Sequence, residues 1–313
     1  MTRIQNLLAM ENGIDNSMIS QYIDIRGHLC ATLSAIIRKL FPEHMNEISD
    51  KCMEYLLEML NSQVSFSNGV GYGQDDALGA VGTLIKVLGK GFEKYMPHFK
   101  PYLIHSLENH AEIAEFTAAV DVVTELCLAM GKEFNNYCEE IMTTMLNALR
   151  LRISASIDRY VKPAIAWAIG QSALAIGPDF SQYLAPAMEA LQQAVSFEVN
   201  ANDFHTSYDM LDYQTSLREA CLHAFHSIIL GLKGDDENSN PQASKVRSLE
   251  QYLPFIFDFL SKIAENTDEM TDYLLKNACG LIGIISMVFG ATIPQNQLMQ
   301  AFSAQGVQVS FKL

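Results

Sequence analysis

Three stretches of this chain repeat one pattern: "VLGKGFEKYM", "AMGKEFNNYC" and "AIGPDFSQYL". Their glycines are Gly89, Gly131 and Gly177, their phenylalanines Phe92, Phe134 and Phe180, and their tyrosines Tyr95, Tyr137 and Tyr183. The intervals are 42 and then 46 residues for every member of the trio. Each copy follows a segment with apolar residues at three- and four-residue spacing, which predicts a helix. In "EIAEFTAAVDVVTELCLAMG", Ile113, Phe116, Val120, Val123, Cys127 and Met130 form one stripe, and Asp121 and Glu125 lie elsewhere. The unit is therefore helix A, a glycine turn and helix B. The glycine is expected to end helix A in a left-handed cap, and the Phe and Tyr to fasten helix B to helix A.

Degenerate copies extend both ways, giving helical pairs over 20–61, 74–108, 112–150, 157–196, 207–265 and 268–303. Helical pairs repeating every 40–47 residues or so are the signature of HEAT or armadillo solenoids. One such unit cannot bury its apolar face without stacked neighbours. The expected fold is all-α, a HEAT-repeat superhelix of about six hairpins in one continuous array. With no obvious polar cap at the start, and "GVQVSFKL" at the end, the reading is a piece of a longer superhelix.

Apolar residues make up 49% of the 313, enough for a large core. The 21 Lys and Arg against 36 Asp and Glu leave a formal charge of −15. A surface of that sign repels nucleic acid and anionic membranes and attracts basic partners. The six cysteines, Cys30, Cys52, Cys127, Cys138, Cys221 and Cys279, are widely separated and form no CxxC pair. They read as reduced thiols of a cytosolic or nuclear protein. The N-terminus lacks the apolar core of a signal peptide. The stretch "ACGLIGIISMVFGATI", residues 278–293, falls short of the roughly 20 residues that span a bilayer, so a buried helix in a soluble protein is expected.

No catalytic constellation is legible. The alternating glycines of "NGVGYGQDD" follow a helix rather than a strand, and no Lys-Ser or Lys-Thr comes after them. Asp75 and Asp76 suit a helix start but repel phosphate, so this stretch reads as a hinge between repeats. His105 and His110, and His223 with His226, are the close histidine pairs. The second pair shares a helix face, with Glu219 as a possible third ligand, but a surface or interface role is the plainer reading. The run "GDDENSNP" lacks the alternating ligands of a calcium loop. No metal, no cofactor and no enzymatic activity are expected.

Two surfaces remain. Along the first helix B, Glu47, Asp50, Glu54 and Glu58 recur at spacings of three, four and four, opposite Ile48, Cys52, Tyr55, Leu56 and Met59. Glu139, Glu140 and Glu189 hold comparable places on later B helices. The row is either a solvated helix face or, with B helices lining the concave side, one wall of a groove for a basic helical ligand. On the fourth helix A, Val161, Ile165, Ala168 and Ser172 form the core stripe, while Tyr160, Trp167 and Leu174 share another flank. That flank either packs laterally on a neighbouring repeat or walls a shallow groove for an aromatic ring, with Phe116 facing it if the third repeat is the neighbour.

The blocks "SYDMLDYQTSLREACLHAF", "GLKGDDEN", "GQDDALGAVGTLIKVLGKGFEKYMPHFKPYL" and, more weakly, "HLCATLSAIIRKL" closely resemble the C-terminal half of the importin β family of nuclear import karyopherins. They are collinear from about residue 27 to residue 290. The resemblance implies a receptor of cytoplasm, nucleus and nuclear pore, whose acidic inner helices wrap the basic importin-β-binding segment of importin α or basic cargo. It also implies phenylalanine-glycine nucleoporins between outer A helices, with no direct nucleic-acid or membrane contact. The family's main Ran-binding region lies in an N-terminal portion with no counterpart here, which argues against tight Ran-GTP binding by this chain alone. The tail after Gly290 departs from the family, and the tryptophan role against the basic segment does not transfer to Trp167. The rival reading is a HEAT scaffold that holds an enzyme complex together without transport activity.

Overall fold

The computed structural model describes residues 19–39, 42–61, 73–151, 155–197, 208–234, 245–265 and 271–290. All the regular structure among them is helical. In chain order the helices are α1 (Ile19–Lys39), α2 (Pro42–Asn61), α3 (Gln74–Leu88), α4 (Met96–Glu108), α5 (Ile113–Met130) and α6 (Cys138–Arg150). They continue with α7 (Ala155–Ile176), α8 (Leu184–Val195), α9 (Tyr208–Lys233), α10 (Leu253–Glu265) and α11 (Asp272–Phe289). Odd numbers are A helices and even numbers are B helices. This is the all-α HEAT-repeat architecture. The expected helix at 294–303 and most of the glycine-rich hinge, residues 62–72, lie outside the described residues.

The residues form two compact units, Met1–Thr144 and Met145–Leu313. In the first, α1 packs on α3 and α3 on α5, while α2 leans on α3 and α4 on α5. In the second, α7 packs on α9 and α9 on α11, with α8 against both α7 and α9. Successive A helices thus stack side by side, and a B helix packs on the A helix of the next repeat.

The repeated trio explains the turns. Gly89, Gly131 and Gly177 all have positive φ, 53°, 58° and 62°. The expected left-handed cap needs correction, because ψ is −131° at Gly89 and −127° at Gly131. That is the mirror image of the extended region, open to glycine alone. A Cβ at Gly89 or Gly131 would touch nothing within 4 Å, so the backbone angle, not crowding, demands glycine. Each glycine starts a 3₁₀ turn, Gly89–Tyr95, Gly131–Asn136 or Gly177–Gln182, before helix B. Phe92, Phe134 and Phe180 have no exposed surface.

The tyrosines reach elsewhere than expected. Tyr95 donates its hydroxyl to Asp50 Oδ1 in the preceding repeat at 2.6 Å, and burial, then the nearby Glu93 carboxylate of the repeat before its own, pushes the Tyr137 hydroxyl up. The Phe ring therefore closes its own hairpin, and the tyrosine ties that hairpin to the previous one. The fifth repeat keeps the logic with different residues. Gly234 has φ 66°, and a 3₁₀ turn at Lys245–Tyr252 buries Leu249 where the others bury Phe.

The stripes read from sequence are buried apart from the half-buried Ile113: Phe116, Val120, Val123, Cys127 and Met130 on α5, and Val161, Ile165, Ala168 and Ser172 on α7. Five of the six cysteines are buried and none is in a disulfide, with Cys279 half-buried. Burial pushes the Cys30 thiol up to about 12. The apolar stretch near residue 280 lies in α11, inside the span expected to be helical. By length and composition alone α11 could cross a membrane. It packs on α9, with Leu274, Ala278, Leu281, Ile282 and Ile285 buried.

Candidate functional site

The carboxylates of the B helices fall into two classes. Glu54 and Glu58 on α2 and Glu139 on α6 are exposed and make no ion pair with a described residue. Asp50, Glu140 and Glu189 are also exposed, but each meets a cation from an adjoining repeat. Asp50 accepts from Lys94 Nζ at 2.7 Å, Glu140 pairs with Lys100 at 2.6 Å, and Glu189 with Arg150 at 2.9 Å. Hydrogen bonds from Lys94 and then Tyr95 hold the Asp50 carboxyl below the usual range. The same Asp50 contact raises the Lys94 ammonium above its own. Glu47 lies in α2, but its side chain is outside the described residues.

Other ion pairs follow the same rule. Lys86 meets Glu125, Lys90 meets Glu133, and Lys245 meets Asp179, each across adjacent repeats. These are exposed pairs, individually weak and screened by salt. They set register more than they add stability. The sequence reading missed the cations Lys94, Lys100 and Arg150. A signal existed, since they lie 44, 40 and 39 residues from their carboxylates, close to one repeat length.

At Trp167 the A-helix flank follows the first of its two sequence readings, packing on a neighbouring repeat. Trp167 is half-buried and lies face to face on the His223 ring of α9, with centroids 3.5 Å apart and planes 11° apart. It thus packs laterally, and its neighbour is the fifth repeat. Gln171 Nε2 lies 3.0 Å from His223 Nε2, so the ring nitrogen accepts the amide proton. Burial, aided by the nearby His226, lowers the His223 pKa to about 4. Tyr160 and Leu174, one on each side of Trp167 along α7, remain 52% and 40% exposed. Phe116 has no exposed surface and stands beside the His110 ring, so it offers nothing to a ligand. Other A helices also expose apolar side chains, Ile25 and Ile36 on α1 and Leu128 on α5.

The expected metal candidates disperse. His223 faces Trp167, His226 lies under Gly280, and Glu219 accepts from Thr271 Oγ1 at 2.9 Å. Among the described residues no group of three His, Cys, Asp or Glu side chains could hold a metal ion. At the hinge, Gly73 has φ 86° and precedes α3, with Asp75 and Asp76 in the first turn. Arg26, almost fully buried below it, donates to the Met59 carbonyl oxygen at 2.8 Å and so caps the end of α2. The neighbouring Glu115, also buried, accepts from Ser106 at 2.6 Å and Asn109 at 2.8 Å. These polar groups join one repeat to the next, and nothing in them resembles a phosphate cradle.

A family described as importin subunit beta-1-like, with TPR repeats, matches residues 1–312. Importin subunit beta-1 of Arabidopsis thaliana is 32% identical over 271 residues, 86% of this chain and 29% of that protein. A crystal structure of importin beta superposes with a TM-score of 0.80 at 28% identity, covering 96% of this chain and 32% of the other. The yeast importin-beta Kap95p, in work showing that its binding induces the switch loops of RanGDP to adopt the GTP-bound conformation, gives 0.73 at 25% identity. That match covers 96% of this chain and 34% of Kap95p. The chain thus spans about a third of the length of the relatives it matches. Repeat, turn and match agree: the chain belongs to the importin subunit beta-1-like family.

Proposed function

We propose that this chain is the part of a nuclear import receptor that holds a basic partner on its B-helix carboxylates, and that it works by binding rather than catalysis. The observation that carries the reading is the set of exposed carboxylates with no cation partner among the described residues, Glu54 and Glu58 on α2 and Glu139 on α6. Glu54 and Glu58 stand one helical turn apart on one face, a spacing that suits Lys and Arg on a helical ligand. The excess of acidic residues favours such a ligand and speeds its encounter. The basic segment of importin α, or a basic cargo protein, has this chemistry.

The exposed apolar residues of the A helices, Leu128 and Leu174 among them, suit the second expected partner, phenylalanine-glycine nucleoporins. Phe116 is not part of that surface, and Trp167 contributes only the edge that its stack on His223 leaves open. Ran belongs to this reading for the longer receptor rather than for this third of it. The setting is the cytoplasm, the nucleus and the pore between them.

The experiment is fluorescence anisotropy with two labelled peptides, a basic helical segment and a phenylalanine-glycine repeat. Saturable binding of both, to separate sites that do not compete, is the expected result. Binding of neither would favour a scaffold role instead and end the transport reading.

A further inference from the structure

At the N-terminal ends of α7 and α9 lies a cleft of about 250 Å³ lined by Arg159, Tyr160, Asp209, Asp212, Tyr213 and Ser216. It is separate from the B-helix carboxylates, and its chemistry is specific. Arg159 donates to Asp209 Oδ2 at 2.7 Å, and its guanidinium lies over the Tyr160 ring, 4.6 Å from the centroid. The wall therefore already holds one guanidinium between a carboxylate and an aromatic ring. Asp212, one turn beyond Asp209, is exposed and pairs with no cation among the described residues. The Tyr160 ring stays half exposed beneath its Arg159 cover. Tyr213 is buried against Phe197, with centroids 4.9 Å apart, so the opposite wall is fixed.

Charge and size narrow the occupant. Arg159 and Asp209 cancel, which leaves the described lining with the single negative charge of Asp212. A phosphate or carboxylate would be repelled. A phenylalanine ring seated here would desolvate Asp212 and return no hydrogen bond, a cost polar groups rarely bear. The volume suits one long side chain rather than a helix. A planar cation that stacks on an aromatic ring and forks onto a carboxylate meets all of these demands.

We propose that this cleft is a socket for one arginine side chain of an extended partner segment, with its guanidinium on Asp212 and against Tyr160. The arrangement of Arg159 with Asp209 and Tyr160 is the template for a second recognition point, built from other residues than the B-helix carboxylates. It would let these A helices read a basic residue in a partner that their apolar side chains alone could not distinguish.

The test uses the whole chain with ring-¹³C tyrosine, and N-acetyl-arginine methylamide as the probe. The Tyr160 signals are assigned with Tyr160→Phe. Saturable shifts of Tyr160, weakened at least tenfold in Asp212→Asn and unchanged in the Glu54→Ala/Glu58→Ala variant, are the expected result. Equal shifts with the lysine or phenylalanine analogue would overturn arginine selectivity. Shifts unaffected by Asp212→Asn, or no shift at all, would overturn the socket. Because the probe is a single residue, the outcome does not depend on whether the B-helix face binds a basic segment.

Discussion

The two units stack their A helices by different means. In the first, the α3–α5 contact leaves slack: a Cβ at Gly82 would make an ordinary 3.7 Å contact with Val122. Ion pairs from Lys86 to Glu125 and from Lys90 to Glu133 hold that contact from outside. In the second, α7 and α9 touch backbone to backbone. A Cβ at Gly170 would come within 3.0 Å of Ala224 Cα, and one at Gly231 would overlap the Ala173 carbonyl. The Trp167–His223 stack lies along the same seam. Electrostatic clamps tolerate change in helix spacing, whereas a glycine crossing does not. For the proposed binding role the contrast matters, because a repeat array that adapts to a partner needs seams that yield and seams that hold.

The largest expected effects ignore this contrast and so calibrate it. Phe92→Ala in the first unit and Phe180→Ala in the second should each cost about 3–5 kcal/mol in denaturant unfolding. Both rings are fully buried in equivalent turns, so a large inequality would break the repeat equivalence. Next come the glycines. Gly231→Ala should destabilise by roughly 1–3 kcal/mol from overpacking, since a backbone carbonyl cannot swing aside as a side chain can. Gly82→Ala should be neutral, or stabilising by up to about 1 kcal/mol through helix propensity. Equal effects at the two positions would erase the distinction.

The seam in the second unit should also sense acid. His223 falls from an ordinary 6.5 to about 4 in the folded chain because burial disfavours its charged form. The unfolded chain therefore binds more protons in that window. The stability present above pH 6.5 should be lost progressively as pH falls toward 4. His223→Phe keeps a ring against Trp167 but removes the proton, so its unfolding midpoint should vary less with pH over that range. The smallest effect belongs to the clamps. Raising salt should speed amide exchange near Lys86, Lys90 and Lys94 more than around Gly170 and Gly231 at the α7–α9 crossing, because exposed pairs are screened and close backbone contacts are not.

Much of this was legible in sequence for a physical reason. A turn that needs φ beyond the reach of other residues must show glycine, and a ring with no exposed surface recurs at a fixed offset. Gly89, Gly131 and Gly177 with Phe92, Phe134 and Phe180 therefore announced the hairpins. The fifth repeat, read at 207–265 from its helical spacing, lacks the trio because Leu249 stands where Phe would, after a long connection from Gly234. The candidate site was less legible. Helical spacing put Asp50, Glu54 and Glu58 on one face, but only the register between repeats decides that Asp50 meets Lys94 while Glu54 and Glu58 meet no cation among the described residues. A helical wheel likewise could not choose a neighbour for Trp167, nor tell that Phe116 sits entirely inside.

That division of carboxylates is the central claim, and one titration tests it. A labelled basic helical segment would be bound to the chain across a salt series and then to two variants. One is Glu54→Ala/Glu58→Ala/Glu139→Ala, and the other is Asp50→Ala/Glu140→Ala/Glu189→Ala. The account predicts that the first loses affinity by tenfold or so, about 1.4 kcal/mol, with a shallower salt dependence. The second, whose carboxylates face internal cations, should change less than the first. Equal losses, or a larger loss in the second variant, would contradict it.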